Sequence, residues 1–170
     1  MKRIVALLLL SVLAVSLVAC SKDETPDGMK NVAEETAKFY LYVPQAWIEQ
    51  REGAMSPAGD GANVTAVSYL METYYTPESY WTEKCLPAYK STFSEIVVDE
   101  ALSGADMTLG GINAKKYVYN ATVGGVSYRI LQAIVALDNM IYTLTYTAKA
   151  EHFDAHMADV DSICANFTFK

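Results

Sequence analysis

The pattern of apolar and polar positions changes character twice along the chain. Lys2 and Arg3 precede a charge-free, mostly apolar run from Ile4 to Ala19, which ends in Leu17-Val18-Ala19-Cys20. Residues 21–37 are then polar, with Pro26 and Gly28 and little to bury. From Lys38 onward the pattern is one of short segments with period two, interrupted by two stretches with helical period.

Phe39, Leu41 and Val43 alternate with Tyr40 and Tyr42 until Pro44 stops the strand. Trp47 opens a second short segment, and Ser56-Pro-Ala-Gly-Asp-Gly61 is a turn cluster. Residues 63–71 form a third strand. A helix follows, with Thr76 as N-cap and Pro77 at its first position. Its apolar stripe runs through Trp81, Cys85 and Ala88, and Pro87 is expected to kink or break it. Residues 96–101 and 105–109 read as strands. Residues 113–123 and 126–137 form a hairpin across Gly124-Gly125, and Asp138-Asn139 turns the chain into a strand over 140–148. Residues 151–165 form an amphipathic helix marked by Phe153, Met157, Val160 and Cys164, with a last edge strand over 167–169.

One segment decides the architecture. Between Val126 and Leu137 the even positions carry Tyr128, Ile130 and Ile134, and the odd ones Leu131, Val135 and Leu137. A strand apolar on both sides must be covered on both faces. The expectation is an α+β domain: an antiparallel sheet of six or seven strands with helices on both faces.

In Phe39-Tyr-Leu-Tyr-Val-Pro-Gln-Ala-Trp47, Gly61-Ala-Asn-Val-Thr-Ala-Val67, Asp138-Asn-Met-Ile-Tyr-Thr-Leu-Thr-Tyr-Thr-Ala148 and the final helix through Ser162-Ile-Cys-Ala-Asn-Phe167, the chain resembles the PsbP-like (Mog1/PsbP) superfamily. That resemblance implies an α/β/α sandwich, in agreement with the pattern. The superfamily is a scaffold with several uses, among them photosystem assembly and Ran GTPase binding, so no functional residue is carried over.

The amino-terminal pattern gives an address. A positive start, an apolar middle and a small residue at the cut describe an export signal. The apolar run, about sixteen residues, falls short of the roughly twenty that span a bilayer. With Cys20 directly after Ala19, the junction resembles the lipobox of bacterial lipoproteins. The expected organisation is therefore a signal peptide over 1–19, a flexible tether over 20–37 and a PsbP-like domain over 38–170. The lipid on Cys20 would hold the domain at the cell membrane on its extracytoplasmic side. Removing Lys2 and Arg3 with the leader takes the net charge from −7 to −9. An acidic domain repels phosphate backbones, which argues against nucleic acid as a partner.

Cys85 and Cys164 permit one disulfide, but each lies on the apolar stripe of a helix, where a free thiol behaves as a small hydrophobe. The Asn-X-Thr triplets at Asn63, Asn120 and Asn166 matter only in a eukaryotic secretory pathway, which the lipobox argues against.

Little catalytic chemistry is visible. His152 and His156 lie four residues apart with Asp159 beyond, a spacing able to present two imidazoles to a metal, yet the expected place for both is the solvent edge of the last helix. Asp60-Gly61 reads as a turn and Glu34-Glu35 as a solvated face. No nucleophile elbow, phosphate loop or dinucleotide fingerprint occurs. No enzyme activity, metal or cofactor is expected. The candidate binding surface is the aromatic cluster of Tyr74, Tyr75, Tyr80 and Trp81, near Tyr69. The function it implies is a non-enzymatic binding or accessory role toward an envelope protein partner. The alternative is capture of a small molecule, a sugar or lipid fragment, in a pocket lined by those aromatics.

Overall fold

The computed structural model describes residues 25–170, so the expected leader and Cys20 lie outside the described residues. In chain order the strands are β1 (Met29–Asn31), β2 (Phe39–Tyr40), β3 (Tyr42–Pro44), β4 (Ile48–Gln50), β5 (Gly53–Met55) and β6 (Asn63–Leu70). A helix then runs through α1 (Pro77–Tyr80), a π-helical turn (Trp81–Cys85) and α2 (Leu86–Thr92). After β7 (Glu95–Val98) and β8 (Ala105–Leu109) come three long strands, β9 (Ile112–Val123), β10 (Val126–Leu137) and β11 (Met140–Lys149). A 3-10 turn (Ala150–His156) leads into α3 (Met157–Asn166) and β12 (Thr168–Phe169).

Eight strands form one antiparallel sheet in the order β4-β5-β6-β11-β10-β9-β7, with β8 also paired to β9. The small pairs β1–β3 and β2–β12 lie outside it. The count exceeds six or seven because β4 and β5 close their own short hairpin onto β6. Both long hairpins close through residues with positive φ, Gly124-Gly125 and Asp138-Asn139, the backbone twist that two-residue hairpin turns require.

The two-sided strand is covered as its pattern demands. On one face Leu131, Ala133 and Val135 join Leu144 and Tyr146 beneath Phe153, Val160, Ile163 and Cys164. On the other, Ile130 and Ile134 join Tyr117, Tyr119 and Ile141 beneath Trp81 and Cys85. The helices therefore stand on opposite faces of the sheet.

Three local expectations are corrected. Pro87 does not break its helix: the preceding turn widens, and the Leu86 N–H donates to the Trp81 carbonyl five residues back. The missing Pro87 N–H then falls at the start of a fresh α-helical stretch, where it costs little. The last helix begins as a 3-10 turn in which the Met157 N–H donates to Asp154, leaving the Phe153 carbonyl to accept the Tyr146 hydroxyl at 2.8 Å. Part of the expected tether is also docked. Met29–Asn31 pairs with β3, Asn31 Oδ1 accepts the Leu41 N–H, and Val32 is buried, because β3 would otherwise lack a partner on that side.

Candidate functional site

The α1–α2 helix is held at its start by a reciprocal cap, in which Thr76 and Ser79 each accept the other's backbone N–H. Its inward stripe is Trp81, Cys85 and Tyr89, spaced by four. Trp81 lies flat on Tyr117, with centroids 4.3 Å apart, and Tyr89 stacks on Tyr119 at 5.4 Å. These contacts seat the helix over β9 and β10. The neighbouring part of the same face, formed by Thr145 and Thr147 of β11 and the odd-numbered residues of β6, is only partly covered.

The step between helix and sheet is a cleft with two hollows, one on each side of Tyr89. The first, about 320 Å³, is walled by Tyr89, Phe93, Tyr119 and Tyr128 over a floor of Ala121 and Ile130. The second, about 230 Å³, is more polar: Tyr69, Tyr80 and Lys84 surround a floor that includes Gln132, Thr143 and Thr145. Both are lined by Tyr89 and Thr145. Gln132 and Thr143 are buried polar residues on this face, and the Gln132 amide donates to the Tyr89 hydroxyl at 2.9 Å. Burial pushes the Tyr89 phenol up to about 12, so it stays neutral and fixed in place. At the mouth Lys84 Nζ sits 5.4 Å from the centroid of the Tyr75 ring, and the Tyr75 side chain raises the Lys84 pKa.

The expected aromatic surface is divided by the fold. Trp81 is a core residue rather than a contact residue, since it leads the inward stripe. Tyr75 and Tyr80 are half-buried and meet edge to face at 5.8 Å. Tyr74 is 73% exposed. Tyr80 and the neighbouring Tyr69 line the second hollow, whereas the first uses Tyr89, Phe93, Tyr119 and Tyr128, which sequence reasoning missed. Their signal was present in the continuation of the helical stripe to Tyr89 and in the period-two placing of Tyr117 and Tyr119.

The histidines do not converge on one point. His156 is nearly buried, and its Nε2–H donates to Asp60 Oδ2 at 2.6 Å, while half-exposed His152 faces Glu151 at 3.4 Å. The expected solvent-edge position is thus corrected for His156. A carboxylate remote in sequence draws it inward. The His156 hydrogen bond, followed by that from the Ala62 N–H, holds the Asp60 carboxyl below its ordinary range. Trp47 completes the cluster, edge-on to His156 at 6.1 Å and donating its indole N–H to Asp159. Among the described residues no group of His, Cys, Asp and Glu could hold a metal. Cys85 and Cys164 are free, buried thiols on opposite faces of the sheet.

No known family model and no curated protein matches the sequence. Solved structures do. The cyanobacterial PsbP (CyanoP) of Synechocystis sp. PCC 6803 superposes with TM-score 0.59 at 10% identity, over 84% of this chain and 93% of that one. PA94 of Pseudomonas aeruginosa, a protein of unknown function, gives 0.55 at 13% over 81% and 94%. LpqN, involved in cell envelope biogenesis of Mycobacterium tuberculosis, gives 0.50 at 14% over 86% and 80%. The chain has a PsbP-like fold, and at these identities the likeness extends to fold alone. Among the described residues no helix is long and apolar enough to cross a membrane.

Proposed function

We propose that this protein is a lipid-anchored, non-enzymatic binding protein of the bacterial envelope, and that it captures a small apolar molecule, such as a lipid fragment, in the cleft beside Tyr89. The observation that carries this reading is the hollow of about 320 Å³ walled by four aromatic rings. Its volume lies within the range of small-molecule sites, and apolar lining with few polar groups is the usual composition of such sites. The polar floor and Lys84 of the adjoining hollow would take the polar end of the same molecule. Likeness to LpqN supports an envelope setting, and the lipobox supports anchoring through Cys20. The cleft, rather than a flat patch around Trp81, is what favours capture over the protein-partner reading.

The test is solvent extraction and mass spectrometry of the full chain purified in mild detergent, followed by titration with a fluorescent naphthylamine probe. Val123 and Tyr128 line the hollow from exposed or half-buried positions, so Val123→Asp and Tyr128→Asp should fold. The expected result is co-purifying apolar mass and at least about tenfold weaker probe binding in both variants. Unchanged probe affinity in both would overturn the assignment.

A further inference from the structure

Strand β6 is covered on one side along its whole length by β11, with Asn63 to Leu70 all in register. On its other side β5 pairs with only the first three residues, ending at Gly53↔Thr65. One more bond follows, from the Ala66 N–H to the Glu52 carbonyl, and there the cover stops. Backbone groups in an antiparallel strand alternate in direction. Because the Ala66 N–H points away from β11, so do the N–H and C=O of Ser68 and Leu70. Among the described residues nothing pairs with them.

Unpaired edges are ordinarily blunted by lysine, proline, bulges or inward-pointing charge. Val67-Ser68-Tyr69-Leu70 carries none of the side-chain devices, and Tyr69 and Leu70 are 47% and 75% exposed. Beside this edge runs a groove of about 280 Å³, whose far wall is the stretch around Ala33 and Ala37, itself outside the main sheet. Glu34 and Glu52 also line it, and no lysine or arginine does.

We propose that this edge is a docking site for an extended peptide strand of a partner protein, one that alternates apolar residues with lysine or arginine. The partner strand continues the sheet by bonding to Ser68 and Leu70, the mode by which sheet edges elsewhere accept peptides. Its apolar side chains lie on the Tyr69 face of the sheet, and its cations lie on the opposite face, the side of Ala33 and Ala37, where they meet Glu34 and Glu52. A second copy of this chain is the poorer occupant, because two-fold pairing of the edge would set these carboxylates against their own counterparts. The described chain begins near the opposite end of β6. Gly28 bonds to Gln45, next to Trp47, whose cluster with Asp60 abuts the Asn63 end. A domain tethered from there presents the open edge away from its anchor. This site adjoins the second hollow, with which it shares Val67 and Tyr69, but its backbone bonds at Ser68 and Leu70 do not depend on occupancy of the Tyr89 cleft.

The experiment uses the full chain in mild detergent and a short fluorescent peptide of alternating lysine and valine. A control peptide is methylated on the backbone nitrogens that would face β6. Anisotropy reports binding, and amide hydrogen exchange reports Ser68 and Leu70. The expected result is saturable binding, at least about tenfold slower exchange at both amides, and at least about tenfold weaker binding of the methylated peptide. Ser68→Pro should abolish binding while leaving the fold intact, because proline is tolerated where the N–H faces outward from an edge. If that variant does not fold, the methylated peptide decides. Glu34→Gln with Glu52→Gln should weaken binding and flatten its salt dependence. Equal affinity for both peptides, or no binding by either, overturns the proposal. Sedimentation as a dimer with Ser68 and Leu70 already protected overturns it in favour of a second copy.

Discussion

The indole of Trp81 and the phenol ring of Tyr117 lie 8° from parallel with centroids 4.3 Å apart, and both rings are buried. Together with the Tyr89–Tyr119 stack it seats the helix on the sheet, and the cleft lies beside the helix where its cover ends. Trp81→Ala should cost about 3–5 kcal/mol and collapse the cleft with it. Tyr74→Ala, at an exposed site, should change stability by no more than about 0.5 kcal/mol. Urea unfolding curves of the two variants distinguish a core role from a surface one.

Acid should loosen the turn at Asp60. Its carboxyl titrates below the usual range in the folded chain because of the His156 hydrogen bond, and near the ordinary value of about 3.9 when unfolded. A carboxyl depressed on folding contributes stability that is present above its unfolded pKa and lost as pH falls through the folded one. Melting temperatures recorded between about pH 5 and 3 should therefore fall less in Asp60→Asn than in the wild type. At neutral pH the same variant should be less stable by about 1–3 kcal/mol, having lost a charge-assisted bond.

Both thiols of the folded domain should resist modification. Burial pushes Cys85 up to about 11 and Cys164 up to about 12, so neither forms appreciable thiolate at pH 8. Their positions on opposite faces of the sheet prevent a bridge without unfolding. A colourimetric thiol reagent should count neither in native protein and both after denaturation in urea.

Gly53 permits the close approach of β5 to β6. A Cβ built there would lie 1.9 Å from the Val64 carbonyl oxygen, a backbone atom that cannot swing aside. Gly53→Ala should destabilise the domain by about 1–3 kcal/mol through overpacking, read as a lower Tm.

Anchoring has its own test. Cys20→Ser should leave the precursor unprocessed or release the domain from membranes, because no other residue at the junction can be acylated. Normal processing with unchanged membrane fractionation would remove the lipoprotein assignment.

What the sequence determined by itself was local and periodic. Alternation at Leu131, Val135, Ile130 and Ile134 required a sheet covered on both faces, glycine and asparagine pairs placed the hairpins, and Thr76-Pro77 started the helix. Each of these depends on neighbours a few residues away, which a linear reading captures. The tertiary structure alone decided the rest. Trp81 became core and Tyr89 the cleft wall because the helix lies over β9 and β10 and leaves Thr145 and Thr147 of β11 and the same face of β6 only partly covered. Asp60 met His156 across 96 positions of chain, and β6 was left half-uncovered because β5 ends after three paired residues. Packing between elements distant in sequence set these relationships, and such packing leaves no period to read along the chain.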